Sequence, residues 1–296
     1  GILAEHAVDL SAVMAENGTG YFDRIVQNNT VDGVLVGIPW YTDAGLLYYR
    51  KDLLEKYGFA APPATWTELE TQAAAIMEGE KAAGMADFYG FVYQAAAYEG
   101  LTCNAIEWQI SQGGGNVVEP DGTVSLNNEA AAAAFDRAKG WIGTIAPEGV
   151  TTYKEEESRG VWQAGNAAFM RNWPYAFSLG QADDSPIKDK FDVTLIPMGE
   201  GEGAQNADCL GGWQIMVSKY SKSQEAALEF AKFLTSPEVQ KAQAVEKSLL
   251  PTIAAVYDDA DVLAANPFFA SLKPIFQGGA VPRPSTVTGA YYDDVS

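Results

Sequence analysis

Three stretches of the chain set aromatic side chains beside small or polar residues: Pro39-Trp40-Tyr41-Thr42-Asp43-Ala44-Gly45, Arg171-Asn172-Trp173-Pro174-Tyr175 and Leu210-Gly211-Gly212-Trp213-Gln214. These residue types suit a sugar. A pyranose offers an apolar C–H face and a rim of hydroxyls, so its complement is a flat indole for the face and a carboxylate or guanidinium for the rim. Trp66, Trp108, Trp141 and Trp162 stand in helical or apolar contexts and are expected in the core, whereas Trp173 and Trp213 read equally well as core or as ligand platforms.

Catalytic templates are missing. There is no GxSxG elbow, HExxH pair or Walker lysine, and with His6 as the single histidine no His-rich zinc site can be built. Asp258-Asp259-Ala260-Asp261 lacks the glycine of a calcium loop and reads as a solvated turn. Gly199-Glu200-Gly201-Glu202-Gly203 has the spacing of a phosphate loop, but its two carboxylates repel phosphate, so it reads as a solvated acidic loop. A convergent carboxylate pair of the glycosidase kind stays open, because sequence does not show which acids meet. No cofactor and no metal is expected.

The 296 residues are enough for about two domains. At 47 % hydrophobic and 11 % aromatic they can bury a substantial core. Nineteen Lys and Arg against 39 Asp and Glu give a formal net charge of -20, which disfavours nucleic acid and anionic membrane surfaces as partners. No uninterrupted apolar run approaches the ~20 residues of a spanning helix. Cys103 and Cys209 fit neither a CxxC motif nor a metal cluster, and either pair or lie buried as thiols.

Elements that would position these residues alternate along the chain. Thr65 and Glu68 have capping-box spacing ahead of Leu69, Ala73, Ile76 and Met77, which predicts a helix over 66–83. A second helix starts near Ser223, with Ala226, Ala227, Phe230, Phe233 and Leu234 on one stripe, and Ser236-Pro237 opens its successor. Further helices are expected near 102–112 and 128–144, and strands over 34–39, 46–49, 88–91, 167–170, 193–197 and 212–217. Glu119-Pro120-Asp121-Gly122 reads as a hairpin turn, and the three aromatic motifs read as loops. The alternation of strands and helices indicates α/β architecture.

The segment over 32–54, with Pro39-Trp40-Tyr41-Thr42-Asp43-Ala44-Gly45 at its centre, resembles the family 1 extracellular solute-binding proteins of bacterial ABC importers. So do Pro63-Ala64-Thr65-Trp66-Thr67-Glu68-Leu69, Gly211-Gly212-Trp213, Ser221-Lys222-Ser223 and Leu249-Leu250-Pro251-Thr252, and the nearest likeness is to the trehalose/maltose-binding branch. The resemblance implies a two-lobed, periplasmic-binding-protein-like type II fold that closes on ligand by hinge bending. It assigns residues 1–41 and 212–255 to a first lobe and 45–205 and 256–296 to a second, with crossings near 41–45, 206–211 and 252–261. It implies sugar contacts from Tyr41, Asp43, Trp173, Gly212, Trp213 and Arg283. It also implies a periplasmic or extracellular location, with a lipid anchor as one option. An even cysteine count in that compartment is commonly paired, so Cys103 and Cys209 are expected to form a disulfide.

Relative to that family the chain reads as truncated at both ends, with an incomplete first lobe. The function implied is capture of a disaccharide or short oligosaccharide of the trehalose or maltose type by a monomer that hands it to membrane permease subunits. Two alternatives stay open: a carboxylate-based glycoside hydrolase, and a binder of the same fold for a polyol or osmolyte.

Overall fold

A computed structural model describes residues 3–17, 20–119, 123–274 and 276. The chain divides at Ala44/Gly45 and at Cys209/Leu210 into two compact units. The first unit opens with helices α1 (Ser11–Asn17) and α2 (Asp23–Asn28), the short strands β1 (Thr30–Val31) and β2 (Val34–Leu35), and strand β3 (Ile38–Ala44). The second unit follows with β4 (Leu46–Arg50), α3 (Lys51–Lys56), α4 (Trp66–Ala82), β5 (Tyr89–Val92), α5 (Glu99–Ser111), α6 (Glu129–Trp141), α7 (Glu155–Gln163), β6 (Ala167–Asn172), α8 (Ala176–Gly180) and β7 (Phe191–Thr194). The chain then returns to the first unit with β8 (Leu210–Ile215), α9 (Gln224–Leu234), α10 (Pro237–Lys247), β9 (Leu250–Pro251), α11 (Ala260–Ala265) and α12 (Phe269–Pro274).

In the first unit β3 is the central strand of an antiparallel sheet ordered β8-β3-β9. Leu10, Val13, Leu35, Ile38, Val217 and Ala231 form one core cluster against it. Residues 256–276 belong to this unit, and the expectation that they join the second lobe is corrected. The aromatic residues explain why: Tyr257 and Phe276 each pack a ring against Phe22 of the first segment, and Phe269 packs on Tyr257. The backbone therefore makes no third crossing at 252–261.

Helix α9 begins where its Ser223 signal predicts, but its apolar stripe is not core. Ala231 is buried with Ala227 and Leu228 against the cluster, while Phe230 and Phe233 are both 61 % exposed. The next helix keeps its sequence logic: Ser236 Oγ accepts from Val239 N and Pro237 fills the first turn.

The second unit carries a mixed sheet ordered β5-β6-β4-β7, in which only the β5/β6 pair is parallel among the described residues. The capping box of α4 forms as expected, Thr65 Oγ1 accepting from Glu68 N and Glu68 Oε2 from Thr65 N, each at 3.2 Å. The acidic loop is more than a solvated bend, because the Glu200 carboxylate accepts from the hydroxyls of Thr65 (3.3 Å) and Thr67 (2.7 Å) and so pins that helix start. Trp141 packs on Trp66, Trp108, Phe91 and Tyr93, Trp108 also packs on Tyr93, and Trp162 packs between Tyr48 and Phe191, so all four core tryptophans are buried. The hairpin of 117–125 closes through Val118 and Val124, its turn residues 120–122 lying outside the described residues. Asp258 and Asp259 are not merely solvated: Lys273 pairs with Asp258, and Asp259 caps α11 and pairs with Lys241. No helix among the described residues is long and apolar enough to cross a membrane.

Candidate ligand-binding residues in the two units

The Pro39–Gly45 motif, read as a loop, is a strand, and the motif of Gly211, Gly212 and Trp213 lies on a strand that starts two residues before the one expected over 212–217. Tyr41 and Asp43 lie on β3, Gly212 and Trp213 on β8, and the antiparallel register sets Tyr41 opposite Trp213, Thr42 opposite Gly212 and Asp43 opposite Gly211. Alternation along a strand puts Tyr41 and Asp43 on one face and Thr42 on the other. Thr42 is fully buried, and the Tyr41 and Trp213 rings stand 6.4 Å apart on the opposite face. A register shift between Pro39 and Tyr41 marks a bulge at Trp40 and gives the strand this frame.

The glycines permit the arrangement. Gly212 has φ +118°, and a Cβ there would lie 2.6 Å from the Tyr41 carbonyl oxygen and 2.7 Å from Thr42 Cα. Gly211 leaves the space opposite Asp43 without a side chain. Trp213 is 62 % exposed and so is no core residue. Burial first, and the Asp43 carboxylate second, push the Tyr41 phenol up to about 12, so it keeps its proton and remains a donor beside an acceptor. Tyr257, buried in the same unit, is raised by the same two causes. Sequence reasoning missed it because it placed residue 257 in the other lobe.

In the second unit Trp173 follows β6 and rests on a buried charge. The Arg171 guanidinium lies 3.9 Å from the Trp173 ring centroid and forms a two-bond pair with Glu107 of α5, Nε to Oε2 at 2.9 Å and Nη2 to Oε1 at 2.5 Å. Arg171 Nη1 also donates to Gln94 Oε1 at 3.2 Å. Burial alone would lower the guanidinium's hold on its proton, but the Glu107 carboxylate more than offsets it, so Arg171 stays charged. The indole Nε1 donates to Glu155 Oε1 at 3.2 Å, Tyr98 donates to the other oxygen of that carboxylate at 2.7 Å, and Tyr175 donates to Glu156 at 2.6 Å. Glu107, Glu155 and Tyr98 were not singled out from sequence. A charged residue inside the otherwise apolar run of β6 was the available signal that Arg171 must have a buried acidic partner.

The same pair reaches the two places where the chain enters and leaves this unit. Glu107 Oε1 accepts from Cys209 N at 3.1 Å, and the Cys209 carbonyl accepts from Gly45 N at 3.3 Å. A Cβ on Gly45 would collide with the Glu107 carboxylate and the Arg171 guanidinium. Cys103 and Cys209, expected as a disulfide, are both buried thiols in the structure and are each other's hydrogen-bond partner. Arg283 lies outside the described residues. No group of three or more His, Cys, Asp or Glu among the described residues is arranged to hold a metal ion.

A family model described as bacterial extracellular solute-binding protein matches residues 4–241. The chain belongs to that family. A Deinococcus radiodurans protein named "Probable ABC transporter-binding protein" is 51 % identical over 297 residues, covering all of this chain and 70 % of its own length. A maltose-bound structure, T. maritima MalE3, superposes with a TM-score of 0.91 at 42 % identity, over 99 % of this chain and 73 % of that one. That likeness makes this solute-binding protein two-lobed in the manner of MalE. A Brucella abortus relative shares 30 % identity over 77 % of this chain, which spans about half (53 %) of that relative's length.

Gly45→Ala is expected to unfold the second unit at markedly lower denaturant, because displacing Glu107 from Arg171 leaves a buried charge unpaired at a cost of about 3–5 kcal/mol. Denaturant unfolding followed by tryptophan fluorescence checks it. Asp208, 2 % exposed, accepts from Ile196 N at 3.1 Å, and burial pushes its carboxyl up to about 8. A folded-state value above the unfolded one of ~3.9 means its contribution to stability is full below about pH 4 and declines as pH rises to about 8. Asp208→Asn should therefore remove a stability slope of up to about 1.4 kcal/mol per pH unit across that window, read as thermal unfolding against pH.

Proposed function

We propose that this solute-binding protein captures a disaccharide or short oligosaccharide of the maltose or trehalose type outside the cytoplasm and passes it intact to the membrane subunits of an ABC importer. The observation that carries this is the exposed Trp213 indole beside the Tyr41 phenol and the Asp43 carboxylate on one face of the β3/β8 pair. An indole for the ring face, an acceptor and a donor for the hydroxyl rim are what a pyranose requires. The maltose carried by the 42 % identical MalE3 supports the same ligand class. Trp173, already held by Glu155 and backed by Arg171, is a second candidate platform, carried by the second unit.

Isothermal titration with maltose and with trehalose tests the reading. Asp43→Ala is expected to weaken binding by about one to two decades, since a charge-assisted hydrogen bond contributes roughly 1.5–3 kcal/mol. Unchanged affinity in the Asp43→Ala/Trp213→Ala double variant sinks the site assignment. Release of reducing sugar from trehalose would favour the hydrolase instead, because a binding protein returns its ligand unaltered.

A further inference from the structure

Three facts converge on Cys209. Its N–H is held by Glu107 of α5, its carbonyl accepts from Gly45 N, and its sulfur faces that of Cys103, which lies one helical turn before Glu107 on α5. Both cysteines are buried, Cys103 4 % and Cys209 0 % exposed. We propose that Cys103 and Cys209 form a disulfide in the oxidising space outside the cytoplasm, tying the last residue of the 45–209 segment to helix α5. The compartment rests on the function proposed above; the juxtaposition does not.

The chemistry is set up unequally. The hydrogen bond with Cys209 first, and the Arg171 guanidinium next, hold the Cys103 thiol below its ordinary value against the cost of burial, whereas Cys209 is pushed well up by its bond to Cys103 and by burial. The exchange is the same whichever sulfur attacks first. With Cys103 first, its thiolate opens the disulfide of an oxidant such as oxidised glutathione as the unit packs, forming a mixed disulfide and expelling one thiolate. Cys209 gives its proton to solvent and attacks Cys103 Sγ, expelling the second thiolate. Two electrons and two protons leave the protein, and one oxidant disulfide becomes two thiols.

The link closes a loop of more than a hundred residues that contains most of the second unit. Constraining so long a loop in the unfolded chain should raise the melting temperature by on the order of 10 °C. Because Cys209 also accepts from Gly45, the link fixes both points where the chain enters and leaves this unit to one helix.

The test refolds the protein in a buffer containing oxidised glutathione, then denatures it without reductant. No titratable thiol, an intact mass lighter by two hydrogens and a melting temperature that drops on the order of 10 °C with dithiothreitol are expected. Cys103→Ser and Cys209→Ser should each abolish that sensitivity to reductant. Two titratable thiols, or glutathione adducts with no internal link, overturn the proposal; both readouts are taken on the unaltered sequence, so poor folding of a variant does not obscure them. Maltose titration of the same samples separates the two readings. A closed link without sugar binding faults the proposed function alone, and sugar binding with two thiols faults the disulfide alone.

Discussion

The buried pair of Arg171 and Glu107 is the interaction on which the second unit's geometry depends. Two nearly inaccessible charges are tolerable because both are bonded: two bonds between them, Gln94 on the third nitrogen, and the Cys209 amide on the carboxylate. Such a pair adds little net stability over a well-packed apolar alternative, yet is costly to break singly. Its effect is positional. It aims a cation at the face of Trp173, holds the chain where the unit ends, and permits only a glycine where the unit begins.

The first unit sets its candidate residues by strand pairing. Here an antiparallel register and a bulge do the positioning, setting an indole, a phenol and a carboxylate on one face while Thr42 closes the other. The Tyr41 phenol, held protonated, has a proton to donate, and the Asp43 carboxyl group beside it has oxygens to accept one. A sugar hydroxyl, which both gives and takes, can satisfy the two together.

Local chemistry made much of this legible. Thr65 with Glu68, and Ser236 with Pro237, carry their own start signals, and the four core tryptophans stand in apolar helical or strand contexts. Beyond Pro39 the first aromatic motif was read as a loop, and the later strand was begun only at Gly212, because Pro39 and Gly211 carry turn chemistry, and the bulge and register that absorb them are properties of the pair, not of either segment. Phe230 and Phe233 have core spacing, but periodicity shows only that a stripe exists, not what meets it. Tyr257 was assigned to the wrong lobe since ring contacts with Phe22, more than two hundred residues away, leave no local trace. Arg171 and Glu107 were visible as charges in apolar runs, but their pairing is a long-range fact.

Two residues, Ala44 and Gly45, separate Asp43, on the candidate sugar face, from Leu46 at the start of the next sheet, and Gly45 lies against Glu107. A substitution that adds a side chain at Gly45 therefore loads the Arg171–Glu107 pair directly. At Trp213 no such constraint applies, because its exposed ring can be exchanged with little loss of buried area.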